Sequence, residues 1–180
     1  FNISNVLAAL SCALEYGASF NDAKKVLESF YGTWRRFEKT GEIDGKPIIS
    51  DYAHHPTAVR ETLRAAKEFF PGKKILAVFQ PHQHDRTLKL FDDFKCAFND
   101  ADSVILSEIY DVAGRNDSSK NISSKMLAEV MQEKNFKQDI SYARDLIETK
   151  KMIEEKMNNV DVVLIMGAGD IDMIAREFTY

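Results

Sequence analysis

The sequence predicts an α/β domain, a mainly parallel sheet with helices on both faces. Three observations carry that expectation. Short apolar runs rich in β-branched residues, Ile75 to Phe79, Ser103 to Ser107 and Asp161 to Met166, have the length of buried strands. Amphipathic stretches of helical period separate them through short connections. Finally, Ile48-Ile49 empties directly into Ser50-Asp51-Tyr52-Ala53-His54-His55-Pro56. This strand–loop–helix order places polar groups at a strand's carboxyl end, where open α/β sheets bind ligands.

Taken in order, Asn2 to Tyr16 reads as a helix with Val6, Leu7, Leu10 and Leu14 on one face and Gly17 as its stop. Asn21 is placed to cap a second helix, Asp22 to Phe30, whose apolar face is Ala23, Val26, Leu27 and Phe30. These two helices either cover the sheet that follows or belong to a domain upstream. Tyr31-Gly32-Thr33 reads as a hinge. Phe37 to Thr40 and Lys46 to Ser50 pair as a hairpin around Asp44-Gly45, a favoured turn dipeptide.

Pro56 suits the first position of a helix running to Phe70, ended by Pro71-Gly72. Strand Lys74 to Phe79 follows, then a loop, a helix from Thr87 to Asn99, and strand Ser103 to Ser107. After the polar stretch Glu108 to Asn121, Ser123 caps a helix to Lys134. Asp139-Ile140 is a short strand, Ala143 to Met157 a charged surface helix, and Asp161 to Met166 a last strand leading through Gly167-Ala168-Gly169-Asp170 into a final helix. The whole is a Rossmann-like alternation.

The 180 residues suit one domain, or one domain with a piece of another, and Phe1 is not an initiator residue. Hydrophobic residues make up 44%, enough for a substantial core. A net charge of −4 gives no basic field for nucleic acid. The apolar runs are too short to span a bilayer. Cys12 and Cys96 lie beside apolar neighbours and are expected to be buried free thiols, as suits the cytoplasm.

The chain's 4 histidines sit in two loops, His54 and His55 after one strand, His82 and His84 after the next. Adjacent parallel strands would bring these loops side by side. Three readings follow: solvated spectators, a metal site using His-x-His, or a pocket for a polar anionic small molecule. Tyr52 and Arg86 beside the imidazoles favour the pocket. Arg35-Arg36 either pairs on the surface with Glu38 or offers a planar fork to phosphate oxygens. Asp51 either caps a helix or accepts hydrogen bonds from ribose hydroxyls. Gly167-Ala168-Gly169 is a weak anion nest. No Gly-x-x-x-x-Gly-Lys-Ser/Thr loop occurs, so any phosphates are not cradled by this chain alone.

The stretch Asp51-Tyr52-Ala53-His54-His55-Pro56 resembles the Asp-Tyr-x-His-x-Pro signature of the Mur ligases, ATP-dependent amide-forming enzymes of peptidoglycan synthesis. Gln80-Pro81-His82, Arg86-Thr87, Arg35-Arg36-Phe37-Glu38, Ile109-Tyr110-x-x-Ala113-Gly114 and Met166-Gly167-Ala168-Gly169-Asp170-Ile171 are similar to segments of the alanine-adding branch. Asn2-x-x-Asn5-x-x-Ala8-Ala9 resembles the asparagine motif that closes the family's central ATPase domain.

The resemblance implies that residues 1–33 are the helical tail of that ATPase domain and 34–180 the C-terminal domain for amino acid and nucleotide. Its substrates would be ATP, UDP-N-acetylmuramate and L-alanine, with Mg²⁺ held mainly by parts upstream, so that the fragment by itself is inactive. Asn2 and Asn5 would border adenine, Arg36 would reach the terminal phosphate as the catalytic residue, and Asp51 would hold the ribose. Tyr52, His54, His82 and Arg86 would line the amino-acid pocket. Two positions depart from the branch. Gln83 follows His82 where arginine is usual, which leaves Arg86 alone to neutralise a carboxylate, and Arg115 stands where an acid is expected. Alternatives are a recycling ligase that attaches a whole peptide to the same sugar acid, and a binding module without catalysis.

Overall fold

The computed structural model describes residues 2–30, 32–112, 121–135 and 137–178, the side chain of Asn2 excepted. The chain divides into two compact units, Phe1–Thr33 and Trp34–Tyr180.

The first unit holds α1 (Asn2–Glu15) and α2 (Phe20–Glu28). The cap of α2 is Ser19, which accepts a hydrogen bond from the Asp22 N–H, not Asn21. Its apolar face is not buried as the sequence suggests: Val26 is 64% and Phe30 58% exposed. Helices of 14 and 9 residues cannot enclose a core between them.

The second unit is a six-stranded sheet of order β1-β2-β6-β3-β4-β5. Its strands are β1 (Glu38–Ile43), β2 (Lys46–Asp51), β3 (Ile75–Phe79), β4 (Ser103–Ser107), β5 (Asp139–Ala143) and β6 (Val162–Met166). The β1–β2 pair is antiparallel and the other neighbours are parallel. Asp44 (φ +51°) and Gly45 (φ +73°) turn the hairpin with the left-handed backbone that such two-residue loops require. The crossovers are α3 (Pro56–Phe69), α4 (His84–Lys89) with α5 (Phe91–Phe94), α6 (Ser124–Lys134) and α7 (Leu146–Lys156), and α8 (Asp172–Glu177) follows β6.

Alternation along each strand feeds two cores. Ile75, Ala77 and Phe79 of β3 meet Val59 and Leu63 of α3, Phe94 of α5 and Leu127 and Met131 of α6. Leu76 and Val78 face Ile153 of α7 and Ile174 and Ala175 of α8. Both faces are therefore covered, which is why these strands read as continuous apolar runs. No described helix is long and apolar enough to cross a membrane.

Several boundaries move. The helix expected from Thr87 begins at His84 and breaks at Leu90, and β5 runs on to Ala143, so the helix expected from Ala143 starts at Leu146. Pairing with β4 extends β5: Ser107 lies opposite Ala143 in the ladder. Both cysteines are free but exposed. Phe69 at the end of α3 is 69% exposed.

The strand order also corrects the expected neighbourhood of the histidine loops. β2 and β3 are not adjacent, because β6 lies between them. The chain leaves β2 and β3 toward one face and β6 toward the other, which makes their carboxyl ends a switch point of the kind where open α/β sheets bind ligands.

Candidate active site at the carboxyl end of the sheet

Asp51, the last residue of β2, is 5% exposed. Its Oδ2 accepts the Phe37 N–H at 2.8 Å, and its Oδ1 accepts the Ala53 N–H at 2.8 Å and the Thr62 hydroxyl at 3.3 Å. The carboxylate thus ties together the segment before β1, the loop after β2 and helix α3. It does not cap α3, whose cap is His55, with Nδ1 accepting the Thr57 N–H and Pro56 in the first turn. Burial pushes the Asp51 carboxyl above its usual range, against the opposing pull of these donors and of the Arg36 charge.

The two arginines part company. Arg35 is buried, and its guanidinium donates to the Gly167 carbonyl at 2.5 Å and the Gly169 carbonyl at 3.1 Å. Its backbone is left-handed (φ +54°), held by its N–H on Glu38 Oε2 and by the Tyr52 N–H on its carbonyl. Arg35 also lies 3.7 Å from Asp172, which accepts from the Ser50 hydroxyl at 2.5 Å. Glu38 pairs bidentately with Arg176, at 2.9 and 2.6 Å, and not with the Arg35 or Arg36 guanidinium. The bond to Arg176 outweighs burial and holds the Glu38 carboxyl below its usual range. Arg36 is exposed, with its guanidinium carbon 5.6 Å from the Tyr52 ring centre. One arginine locks the segment, and its neighbour is free to meet an anion.

Of the histidines, the fold gathers two. The His54 ring lies 5.3 Å from Tyr52 and 6.3 Å from His82, which stacks on Tyr110 at 5.4 Å. His54 Nδ1 faces the Tyr52 carbonyl at 3.0 Å. A carbonyl only accepts, so Nδ1 is the donor in this bond, which leaves Nε2 as the ring's acceptor in its neutral form. His84 turns away toward the Ile122 carbonyl and Asp111. Arg86 is half-buried on α4, and no ion pair joins it to a carboxylate among the described residues. Asn5 is exposed on α1, and Asn2 begins that helix. Arg115, Ala113 and Gly114 lie outside the described residues, as does Tyr31. Among the described residues no three His, Cys, Asp or Glu side chains gather as metal ligands.

The glycine run after β6 serves packing. A Cβ on Gly169 would stand 2.5 Å from Gln80 Oε1 and 2.6 Å from Tyr110 Cγ, and Gly167 (φ +155°) abuts the Gln80 carbonyl. Gln80 in turn donates to Asp170 at 2.8 Å and accepts the Ile171 N–H at 3.2 Å. Residue-type reasoning had singled out neither Gln80 nor Tyr110 for a role. Their signal is positional, since both stand within three residues of the carboxyl end of a strand.

Glu108 anchors the far wall. It accepts the Ile109 N–H (2.8 Å), the Ser124 N–H (3.0 Å) and the Tyr142 hydroxyl (2.7 Å). Burial would raise its carboxyl, but the donors together outweigh burial and hold it below the usual range. The Tyr142 phenol is pushed up to about 12, by burial first and then by Glu108. The folded state therefore holds that proton more tightly. The stability Tyr142 contributes is full below the ordinary phenol value of 10 and is lost as pH rises toward about 12. Denaturant unfolding of wild type and Tyr142→Phe across that alkaline window should show the difference between them shrinking, and a constant difference would contradict it.

Residues 35–169 match the family profile described as Mur ligase, glutamate ligase domain. The chain is 38% identical to the UDP-N-acetylmuramate–L-alanine ligase of Caldanaerobacter subterraneus subsp. tengcongensis, covering 98% of itself and 37% of that relative. Among solved structures it is similar to the UDP-N-acetylmuramate–alanine ligase of Thermotoga maritima (TM-score 0.77, 30% identity, 98% of this chain and 36% of that one). It is also similar to a murein peptide ligase from Psychrobacter arcticus (TM-score 0.65, 25% identity, 98% of this chain and 36% of that one). The chain thus spans little more than a third of the length of these relatives. With the profile covering nearly the whole sheet unit, including both histidine loops and the glycine run, this chain belongs to the Mur ligase family.

Proposed function

We propose that this chain is the C-terminal part of the cytoplasmic, ATP-dependent ligase that joins L-alanine to UDP-N-acetylmuramate in peptidoglycan synthesis. The observation that carries the reading is the meeting of His54 and His82, 6.3 Å apart, beside Tyr52 and the exposed Arg36. The identity to alanine ligases supports the substrate. Residues 1–33 are read as the tail of the central ATPase domain, with Asn2 and Asn5 toward adenine.

In this reading ATP phosphorylates the sugar's carboxylate, and the alanine amine attacks the acyl phosphate and expels phosphate. Arg36 fits the phosphates, since a guanidinium stays charged and presents a planar fork. Asp51 has about one acceptor direction beyond its three protein donors, enough for a single ribose hydroxyl. Tyr52, His54 and His82 form the wall of the amino-acid site, the His54 Nε2 lone pair accepts from the substrate ammonium, and Arg86 neutralises its carboxylate. With Gln83 in place of arginine, that carboxylate meets one guanidinium rather than two. Mg²⁺ and the phosphate loop come from the rest of the ligase. Catalysis is positioning and charge stabilisation, because phosphoryl transfer needs little covalent work from protein.

The second reading, a recycling ligase that takes a whole peptide, rests on the likeness to the murein peptide ligase. Phosphate release by the complete ligase, with UDP-N-acetylmuramate and either L-alanine or a tripeptide, separates the two. Alanine-dependent turnover is expected. Turnover with tripeptide alone would transfer the chain to the recycling class, and none with either would end the ligase reading.

A further inference from the structure

The loop between β3 and α4 carries His82 and leads into Arg86 on α4, so its position shapes the proposed amino-acid site. What fixes it comes from another element. The Tyr110 N–H donates to the Pro81 carbonyl at 2.8 Å, and the Gln83 N–H donates to the Tyr110 carbonyl at 3.1 Å. These bonds form a one-residue parallel bridge between His82 and Tyr110 beyond the end of β4. Gln83 is held there in left-handed backbone (φ +72°), and its carbonyl accepts the Thr87 N–H at 3.0 Å and the Thr87 hydroxyl at 2.8 Å, starting α4.

Any residue but proline at position 110 supplies the backbone bonds, whereas the ring supplies something more. It stacks on His82 at 5.4 Å with 23° between the planes. It also touches the backbone of Gly169, so closely that a Cβ there would fall 2.6 Å from Cγ. Gly169 is in turn held by Arg35 through its carbonyl. The ring is thus backed by a glycine whose carbonyl is pinned, and it contacts an imidazole that faces His54.

The geometry points to Tyr110 as a positioning residue that sets amino-acid specificity: its ring holds the His82 imidazole and thereby limits the length of side chain the site admits. This rests on the amino-acid site proposed above. Stacked flat rings pack at defined separations, so removing the ring frees His82 to retreat into the space vacated. A hydrophobic pocket discriminates one methylene by about tenfold to two-hundredfold, and that margin is what Tyr110 maintains.

The test uses the complete ligase with ATP, UDP-N-acetylmuramate and a series of L-alanine, 2-aminobutyrate and valine. In Tyr110→Ala the ratio of kcat/KM for 2-aminobutyrate to that for alanine should rise by about tenfold or more, the scale of one methylene. Tyr110→Phe keeps the ring and should restore the wild-type ratio, which a role for the hydroxyl would not. If Tyr110→Ala does not fold, Tyr110→Leu removes the flat ring, leaves part of its volume empty and is read in the same way. Nuclear Overhauser effects between the His54 and His82 ring protons of the labelled ligase give a readout of ring position independent of turnover. They should weaken in Tyr110→Ala and stay near wild type in Tyr110→Phe. An unchanged substrate ratio in the alanine and leucine variants, or an unchanged His54–His82 effect in Tyr110→Ala, overturns the proposal. Wild type without alanine-dependent turnover instead overturns the amino-acid reading, and the His54–His82 effect still decides whether Tyr110 positions the ring.

Discussion

Replacing Arg36 by alanine in the complete ligase is expected to lower kcat on the order of a hundredfold to a thousandfold, the scale of one lost transition-state donor. Its side chain is exposed, so the variant should fold with stability within about 0.5 kcal/mol of wild type. Arg36→Lys keeps the charge and loses the fork, and should fall between wild type and alanine. Steady-state kinetics with ATP varied, alongside a denaturant titration, makes the measurement. A kcat for the alanine variant within about threefold of wild type would remove Arg36 from the terminal phosphate. The contrast with Arg35 sharpens the test. Arg35 is buried on the Gly167 and Gly169 carbonyls, so its loss would confuse folding with catalysis.

Asp51→Ala should be the most destabilising single change in the site, at about 3 to 5 kcal/mol. It strands the Phe37 and Ala53 N–H groups and the Thr62 hydroxyl, and each buried donor left unpaired costs about 1 to 3 kcal/mol. For a chain of this size that corresponds to a fall in Tm of about 10 °C or more. Thr62→Val, which removes only the 3.3 Å bond, should cost about 1 kcal/mol by the same denaturation experiment. A loss below about 1 kcal/mol for Asp51→Ala would mean that water reaches these donors in the folded protein. Because the proposed ribose contact uses the same carboxylate that stabilises the fold, KM for ATP should be measured well below the unfolding temperature.

Much of the fold was legible because local chemistry and tertiary packing agree there. Asp44-Gly45 turns the hairpin, Ser123 caps α6 by accepting the Met126 N–H, and β4 spans Ser103 to Ser107 as its apolar run suggests. Where the two disagree, packing wins. Ser141 has no strong preference that would mark it as strand, yet the ladder with β4 carries β5 through it to Ala143. Gln83 looks like loop, yet the Tyr110 carbonyl holds it where α4 can begin at His84. Asn21 is as good a cap as Ser19 in isolation, and the choice falls to the residue whose backbone is extended before the first turn.

The candidate site divides along the same line. Residue types alone point to imidazoles, guanidinium groups and an aspartate at strand ends, because polar and charged groups there stand where open α/β sheets bind ligands. The order of letters does not say that β6 slides between β2 and β3, that Arg35 turns inward while Arg36 turns out, or that His54 and His82 meet while His55 and His84 do not. Those outcomes depend on contacts between residues far apart in the chain, such as Arg35 with Gly167 and Tyr110 with His82. Hydrogen bonds and ring contacts of that reach exist only once the sheet has closed, so the sequence determined which groups the candidate site draws on and the tertiary structure decided which of them stand together at the strand ends.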